Sequence, residues 1–326
     1  MIKLIAVDLD GTLLNSQHEM TEKTEKALKA AIAQGVKVVL ATGKTRHSAE
    51  GIIKRLNLTT PGVYLQGLSV HYPDNSVRHQ LTLTPDVLRR VITFAEDRGF
   101  DVVAYSGTRI MIRAASASAT ELTVDYGEPA PDVVGPLQNI VDNTQINKII
   151  VVKRNDARKI TALRWQLSMQ LDAKKEARLT QALPDMLEIL PPGASKGNGL
   201  KTLLKELDVK PEEVLAIGDG ENDIEMIQLA GIGVAVGNAS EKLKAIADYV
   251  VASNDEDGVA EAVERFAIKK PEPTPESLAT ATSDTTVSDE AKADVATETT
   301  TAAATELLKS DTATESPVTK TEVKAE

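Results

Sequence analysis

Two carboxylates stand two residues apart where the first apolar run of the chain ends, in Asp8-Leu9-Asp10-Gly11-Thr12-Leu13-Leu14. Ile2–Val7 reads as a buried strand, and residues two apart leaving a strand can project to the same side. Open α/β sheets form their ligand crevice at the carboxyl ends of such strands, although acidic residues also open ordinary turns. A denser set of oxygen donors, Gly218-Asp219-Gly220-Glu221-Asn222-Asp223, follows a second apolar run, Val214–Ile217. Hard oxygen ligands of this kind suit Mg²⁺, which keeps several waters and takes one or two carboxylates plus substrate phosphate. The spacing and the missing closing Glu set the segment apart from a calcium loop. Ala41-Thr42-Gly43 ends a further run, Val36–Ala41. Its hydroxyl and glycine amide can hydrogen-bond an anionic oxygen, or simply make a strand-to-helix turn. Ser195-Lys196-Gly197 precedes a helical pattern that includes Leu200–Leu207. A lysine there sits on the positive end of the helix dipole, which is unfavourable unless an anion is near; lysine in an exposed turn is the plainer alternative. Taken together, the four segments supply carboxylates for a metal, a hydroxyl and amides for phosphate, and a cation for the remaining charge. These are the parts needed for phosphoryl transfer.

The elements that must bring these segments together are legible as well. Ile2–Val7, Val36–Ala41, Val63–Leu65, Val214–Ile217 and Ile232–Val236 are apolar at nearly every position, as in a parallel sheet covered on both faces. Between the first two, Thr21–Gln34 places Ala27, Leu28, Ala31 and Ile32 on one helical face, with Thr21 to cap its start and Gly35 its end. Strand, helix, strand is a βαβ unit. From about Leu83 to Leu187 the pattern changes. Pro85 opens a helix through Arg98; Phe100–Tyr105 and Arg109–Arg113 form a hairpin around Ser106-Gly107-Thr108. Lys148–Lys153 reads as a strand and Asn155–Leu171 as a helix. The strands here alternate more, as in a sheet with one exposed face. An α+β domain inserted into an α/β one is therefore expected.

Charge and composition restrict the remaining classes of function. The chain of 326 residues carries a net charge of −11 and only 3% aromatic residues, against both a basic phosphate-backbone footprint and a base-stacking platform. Nucleic acid is therefore not an expected partner. Without cysteine there is no disulfide, thiol nucleophile or thiolate zinc site. No apolar run approaches the roughly 20 residues that span a bilayer, and the N-terminal run is too short for a signal-peptide core, so a cytoplasmic protein with no membrane partner is expected. Residues 271–326 hold 12 acidic and 4 basic side chains, with no aromatic residue and no glycine. Such a segment buries too little apolar surface to offset its ordering entropy and is read as a disordered acidic tail, with at most a transient helix over Ala302–Lys309. It either solvates the chain or docks an unidentified partner.

In order and spacing, Asp8-Leu9-Asp10-Gly11-Thr12, Thr42-Gly43, Lys196 and Gly218-Asp219-x-x-Asn222-Asp223 resemble the four motifs of the haloacid dehalogenase (HAD) superfamily of phosphatases. The large insert before Lys196, the run Gly218–Met226 and the ending Asn254-Asp255-Glu256-Asp257-Gly258-Val259-Ala260 are similar to its Cof-type subfamily with a type IIB cap. The resemblance covers about residues 1–268. It implies a Rossmann-like parallel-sheet core over 1–82 and 188–270, and an α+β cap over 83–187.

The resemblance also implies a mechanism. Asp8 would be the nucleophile that forms an aspartyl-phosphate. Asp10 would protonate the leaving alcohol and then deprotonate the attacking water. Mg²⁺ would be held by the Asp8 carboxylate, the Asp10 carbonyl and the Asp219 carboxylate, with Asp223 in support. Thr42, Gly43, Lys196 and Asn222 would hold the phosphoryl oxygens of a small phosphomonoester such as a sugar phosphate or phosphorylated cofactor. Two positions depart from the family pattern: Lys44 stands where arginine is common, and Gln66-Gly67-Leu68 where Asn-Gly-Ala is common. Both bear on substrate contacts rather than on the reaction. The insert would close as a lid that chooses the substrate. Arg109 and Arg113 are candidate cap contacts, with surface solvation as the alternative for each. A phosphomutase or a dedicated sugar-phosphate phosphatase on the same scaffold, and a non-catalytic phosphate-binding protein, are the competing readings.

Overall fold

The computed structural model describes residues 1–125, 127–171, 175–181 and 183–269. The expected acidic tail and its Ala302–Lys309 helix lie outside these residues.

The first part of the chain builds β1 (Leu4–Val7), α1 (Glu22–Ala33), β2 (Lys37–Leu40), α2 (Glu50–Leu56), β3 (Gly62–Tyr64), β4 (Ser69–His71) and β5 (Val77–Gln80). The middle adds α3 (Pro85–Glu96), β6 (Asp101–Ser106), β7 (Arg109–Ile112), α4 (Ala117–Asp125), β8 (Asp132–Val133), β9 (Lys148–Val152), α5 (Ala157–Leu171), β10 (Arg178–Thr180) and β11 (Met186–Leu190). The chain then returns through α6 (Lys196–Glu206), β12 (Val214–Gly218), α7 (Ile224–Leu229), β13 (Ile232–Ala235), α8 (Glu241–Lys244), β14 (Tyr249–Val250) and α9 (Gly258–Phe266).

Helix boundaries follow capping chemistry. Thr21 accepts the Thr24 amide at 3.1 Å ahead of α1, and Gly35 follows the helix at φ +84°. Thr84 caps α3 with Pro85 in its first turn. That helix ends at Glu96, two residues before the expected Arg98.

The core sheet has the order β14-β13-β12-β1-β2, with every pairing parallel. Strand order reverses between β1 and β12: from β1 the chain winds outward to β2, and from β12 it winds the other way to β13 and β14. A crevice opens at the carboxyl ends of two strands that meet at such a switch point. β1 and β12 are buried throughout, which accounts for their unbroken apolar sequences.

Val63 does not extend this sheet as a full strand. Gly62–Tyr64 meets β2 through a single bridge, Ala41 to Val63, and pairs antiparallel with β4, which pairs with β5. The cause is local: Leu65, Gln66 and Gly67 all have positive φ (53°, 60° and 85°) and turn the chain back.

A six-stranded sheet, β10-β11-β9-β6-β7-β8, is antiparallel except for the β7–β8 pair. Its strands were expected to leave one face to solvent; instead all five residues of β9 and of β11 are buried. Val102, Ala104, Ile149, Val151, Leu187 and Ile189 pack with Leu88, Val91, Leu163 and Leu167 of α3 and α5. Val103, Tyr105, Ile150, Val152, Met186 and Leu190 face the other way and join the cluster that contains β1 and β12. Alternation is thus present, but both faces are covered. β11 runs across position 188, where return to the core was expected, so the chain leaves this sheet only after Leu190.

Candidate active site

The four segments converge at the switch point. Register aligns Val7 with both Ile217 and Leu40, so Asp8, Asp219 and Thr42 leave three adjacent strands at one edge. The Asp8 amide donates to the Ile217 carbonyl at 3.1 Å. Carboxylate oxygens of Asp8, Asp219 and Asp223 lie within 4.8 Å of one another. Lys196 Nζ is 2.7 Å from Asp8 Oδ1 and 2.8 Å from Asp223 Oδ1, with only 1% of its side chain exposed. Lys196 opens α6, whose start is capped by Ser195 accepting the Asn198 amide. The two carboxylates offset both its burial and its position at the positive helix end.

Asp223 also accepts the amides of Asp219 (3.2 Å) and Gly220 (3.0 Å) through Oδ2, so it fixes the loop that carries Asp219. Thr12 Oγ1 donates to Asp219 Oδ1 at 2.8 Å. Gly11 is indispensable to this approach: at φ +71°, a Cβ there would lie 2.5 Å from Asp219 Oδ2.

The charges are unequal to each other. Burial raises the Asp8 pKa well above the usual carboxylate value; the Lys196 charge opposes this, and Asp223 and Asp219 reinforce it. Burial and the Asp223 charge raise Asp219 as well, against the Thr12 hydrogen bond. Burial alone would lower Lys196, but the charges of Asp223 and Asp8 hold it above its ordinary value. Three carboxylates therefore share one ammonium in a largely buried site. This all-oxygen donor set, with charge left to neutralise, fits a hard divalent cation.

The remaining expected residues border the same space. Asp10 is more open, with its side chain 37% exposed and Oδ1 2.8 Å from Lys44 Nζ. Thr42 is buried, and its Oγ1 accepts the Lys44 amide at 3.1 Å. A cavity of about 200 Å³ is lined by Asp8, Asp10, Thr42, Gly43, Lys196, Asp219 and Asn222. Asp223 is not part of this lining. Asn222 Nδ2 donates to Gln66 Oε1 at 3.1 Å, so the departure at Gln66 is a direct neighbour of an expected phosphate ligand.

Sequence reasoning missed the opposite wall. Tyr105, Glu128, Lys148, Ile150, Met186 and Glu188 line the cavity from the six-stranded sheet and the loop before β8. Lys148 and Glu188 form a buried ion pair of 2.8 Å, with side chains 4% and 5% exposed. Glu128 accepts the Thr45 amide at 2.9 Å and the Ser48 hydroxyl at 2.7 Å, tying its loop to the segment after Gly43. The one signal available was a lysine at the head of the β-branched run Ile149–Val152. Arg109 and Arg113, by contrast, pair with Asp132 (2.9 Å) and Glu96 (3.1 Å) with their side chains about 60% exposed, away from the cavity lining. The surface alternative holds for both.

With the fold and site in hand, comparison with known proteins defines the class. The sequence profile of haloacid dehalogenase-like hydrolases matches residues 5–263. A haloacid dehalogenase-like hydrolase from Bacteroides thetaiotaomicron superposes with a TM-score of 0.74 at 30% identity, covering 81% of this chain and 99% of that one. The 5-amino-6-(5-phospho-D-ribitylamino)uracil phosphatase YitU of Bacillus subtilis is 30% identical over 274 residues, 81% of this chain and 97% of that protein. The chloroplastic endoribonuclease YBEY of Arabidopsis thaliana is 40% identical over 272 residues, 81% of this chain but 46% of that protein. The chain thus spans about half the length of the plant relative, whose name describes a longer protein. It belongs to the haloacid dehalogenase-like hydrolase family, as its Cof-type motifs indicated. Among the described residues, no helix is long and apolar enough to cross a membrane.

Proposed function

We propose that this hydrolase is a Mg²⁺-dependent phosphatase that cleaves small phosphomonoesters through an aspartyl-phosphate on Asp8. The observation that carries the reading is the Asp8 carboxylate itself, gripped by Lys196 at 2.7 Å at the carboxyl end of β1, with Asp219 and Thr42 beside it. Asp8 attacks phosphorus; the bond from phosphorus to the alcohol oxygen breaks, and Asp10 gives that oxygen its proton. Asp10 then takes a proton from water as the water oxygen attacks phosphorus and the Asp8–phosphorus bond breaks. Free phosphate and regenerated Asp8 result. Lys44 orients the Asp10 carboxyl, while Lys196, the Thr42 hydroxyl and the Gly43 amide face the phosphoryl oxygens. Asn222 adds the second N–H of its side-chain amide, the first being donated to Gln66. Asp8, Asp219 and the Asp10 carbonyl would hold Mg²⁺, which when bound neutralises phosphoryl charge and lessens its repulsion of the carboxylate nucleophile. The B. subtilis relative named as a phosphatase supports the same reaction class.

The test is hydrolysis of phenyl phosphate and a panel of natural phosphomonoesters. Turnover should require added Mg²⁺ and fall by about 10⁴-fold or more in Asp8→Asn, with the circular dichroism spectrum unchanged. A folded Asp8→Asn variant with wild-type turnover would overturn the mechanism.

A further inference from the structure

A second polar recess, of about 490 Å³, shares no lining residue with the reaction cavity. Three separate stretches of chain enclose it. Arg46 and His47 come from the segment between β2 and α2, His71 and Asn75 from the β4–β5 hairpin, and Ser106 and Thr108 from the tip that joins β6 to β7. The tip is anchored in place: the Gly107 amide donates to Asn147 Oδ1 at 2.7 Å, and Gln80 Nε2 at the end of β5 donates to the same oxygen at 3.3 Å. The volume falls within the roughly 300–1,000 Å³ of small-ligand sites. His71 is only 4% exposed, yet its Nε2 has no hydrogen-bond partner among the described residues. An unpaired buried polar atom is costly, so its presence calls for a partner from outside the chain. The Arg46 guanidinium, half-buried, acts with its charge on both His71 and Tyr64. No carboxylate comes within ion-pair distance of it among the described residues: Glu50, on the same wall, is taken by Lys54 at 3.0 Å, and Arg109 at the rim is itself paired with Asp132 at 2.9 Å.

We propose that this recess is a second, non-reacting phosphate site, where Arg46 and His71 hold the phosphate group of a small anion between the parallel-sheet part of the chain and the inserted part. The donors stand on three sides. Arg46 supplies the charge from one wall, His71 a ring nitrogen from another, and the Ser106 and Thr108 hydroxyls face them from the third. A planar carboxylate is served by one guanidinium fork, whereas a tetrahedral phosphate turns its oxygens in several directions and uses donors from all of them. Burial and the Arg46 charge lower the His71 pKa to about 4, so the ring is neutral at physiological pH and donates from Nε2 in the tautomer that carries its proton there. Because the walls come from both parts of the chain, an occupant favours the arrangement in which they adjoin. Inorganic phosphate, the product of the proposed reaction, and a phosphorylated metabolite share this chemistry.

The test is a titration of the full chain, labelled with nitrogen-15 at histidine, with inorganic phosphate in Mg²⁺-free buffer at fixed pH and ionic strength. Loss of one ring signal in His71→Phe assigns that of His71. The His71 ring nitrogens should shift along a saturating curve, and Arg46→Met should weaken the apparent affinity at least about tenfold. Arg46→Lys, which keeps the charge but not the fork, should fall between the two. Phosphate bound only in the reaction cavity would leave His71 unmoved, since no residue lining that cavity borders the recess. A His71 signal that does not shift, one that shifts without saturating, or equal affinity in a folded Arg46→Met variant would each overturn the proposal. Glycerol 3-phosphate in the same titration separates the two sources. Tighter binding than inorganic phosphate supports a metabolite site, and equal or weaker binding supports a site for free phosphate. The readout needs no turnover, so it stands or falls independently of Asp8 as nucleophile.

Discussion

Two lysines are buried on opposite walls of one cavity, and they are held differently. Lys196 comes from a capped helix start in the core and faces two carboxylates at 2.7 and 2.8 Å, with Asp219 close behind. Lys148 comes from the interior of a sheet and faces one carboxylate at 2.8 Å and a backbone carbonyl at 3.3 Å. The first cluster has an excess of negative charge, so it is poised for a cation and for the charge redistribution of phosphoryl transfer. The second is electrically balanced and has nothing to neutralise. What it presents is a donor beside an acceptor, which suits recognition rather than chemistry.

The largest effect should come from breaking the unbalanced side. Lys196→Met leaves Asp8 and Asp223 without their buried cation. It should lower stability by about 3 kcal/mol or more at neutral pH, read by chemical denaturation, and lower kcat on the order of 10³-fold. Removing Asp223 as well cannot restore activity, because the loop carrying Asp219 hangs from its Oδ2.

That cluster was almost wholly legible in the sequence, and the reason is topological. Asp8, Thr42 and Asp219 each follow an apolar run that is a strand of the parallel sheet, and in such a sheet all strand ends that point one way meet at one edge. Lys148 and Glu188 were not legible as a pair. Their proximity depends on the antiparallel register of β9 and β11, which no local pattern announces, and β11 itself was divided between two expected domains. Gln66 was noticed only as a departure from the family pattern. Its contact with Asn222 spans 156 positions in sequence and depends on three successive residues in the left-handed region.

Gly67 tests how firmly the core side is built. Its φ is +85°, and a Cβ there would sit 1.9 Å from the carbonyl of Ser195, the residue that caps the helix of Lys196. Gly67→Ala should cost about 3 kcal/mol, and should reduce kcat because it displaces Lys196. Stability lost with kcat intact would show that the Lys196 end of α6 tolerates movement.

The balanced side should behave in the opposite sense when both charges go. Lys148→Met alone leaves a buried carboxylate and should destabilise by about 2–3 kcal/mol, whereas adding Glu188→Gln, which keeps an acceptor for Thr180, should recover most of the loss. Denaturation midpoints of the three variants check this. A double variant worse than the single would mean that the pair is structural.

The smallest effect concerns His71 on β4, which packs edge-on against Tyr64 at 5.4 Å and has no hydrogen-bond partner for Nε2 among the described residues. Burial, with the Arg46 charge, lowers its pKa from 6.5 to about 4. The unfolded chain therefore binds a proton between these values that the folded chain refuses, and stability should fall as pH drops from 6.5 toward 4. His71→Phe keeps the ring and should flatten that part of the pH profile; an unchanged slope would assign the acid sensitivity to other groups.

The central claim is that the unbalanced cluster makes Asp8 a nucleophile. It is tested most directly by mixing the enzyme, Mg²⁺ and a phosphomonoester labelled in its phosphate, then quenching in acid within the first turnovers. The account predicts label covalently attached to a peptide containing Asp8, released by hydroxylamine, forming more slowly in Asp10→Asn, which lacks the proton donor for the leaving alcohol, and absent in Asp8→Asn. Steady turnover with no labelled protein in any of the three would contradict it, and would mean that water attacks phosphorus directly.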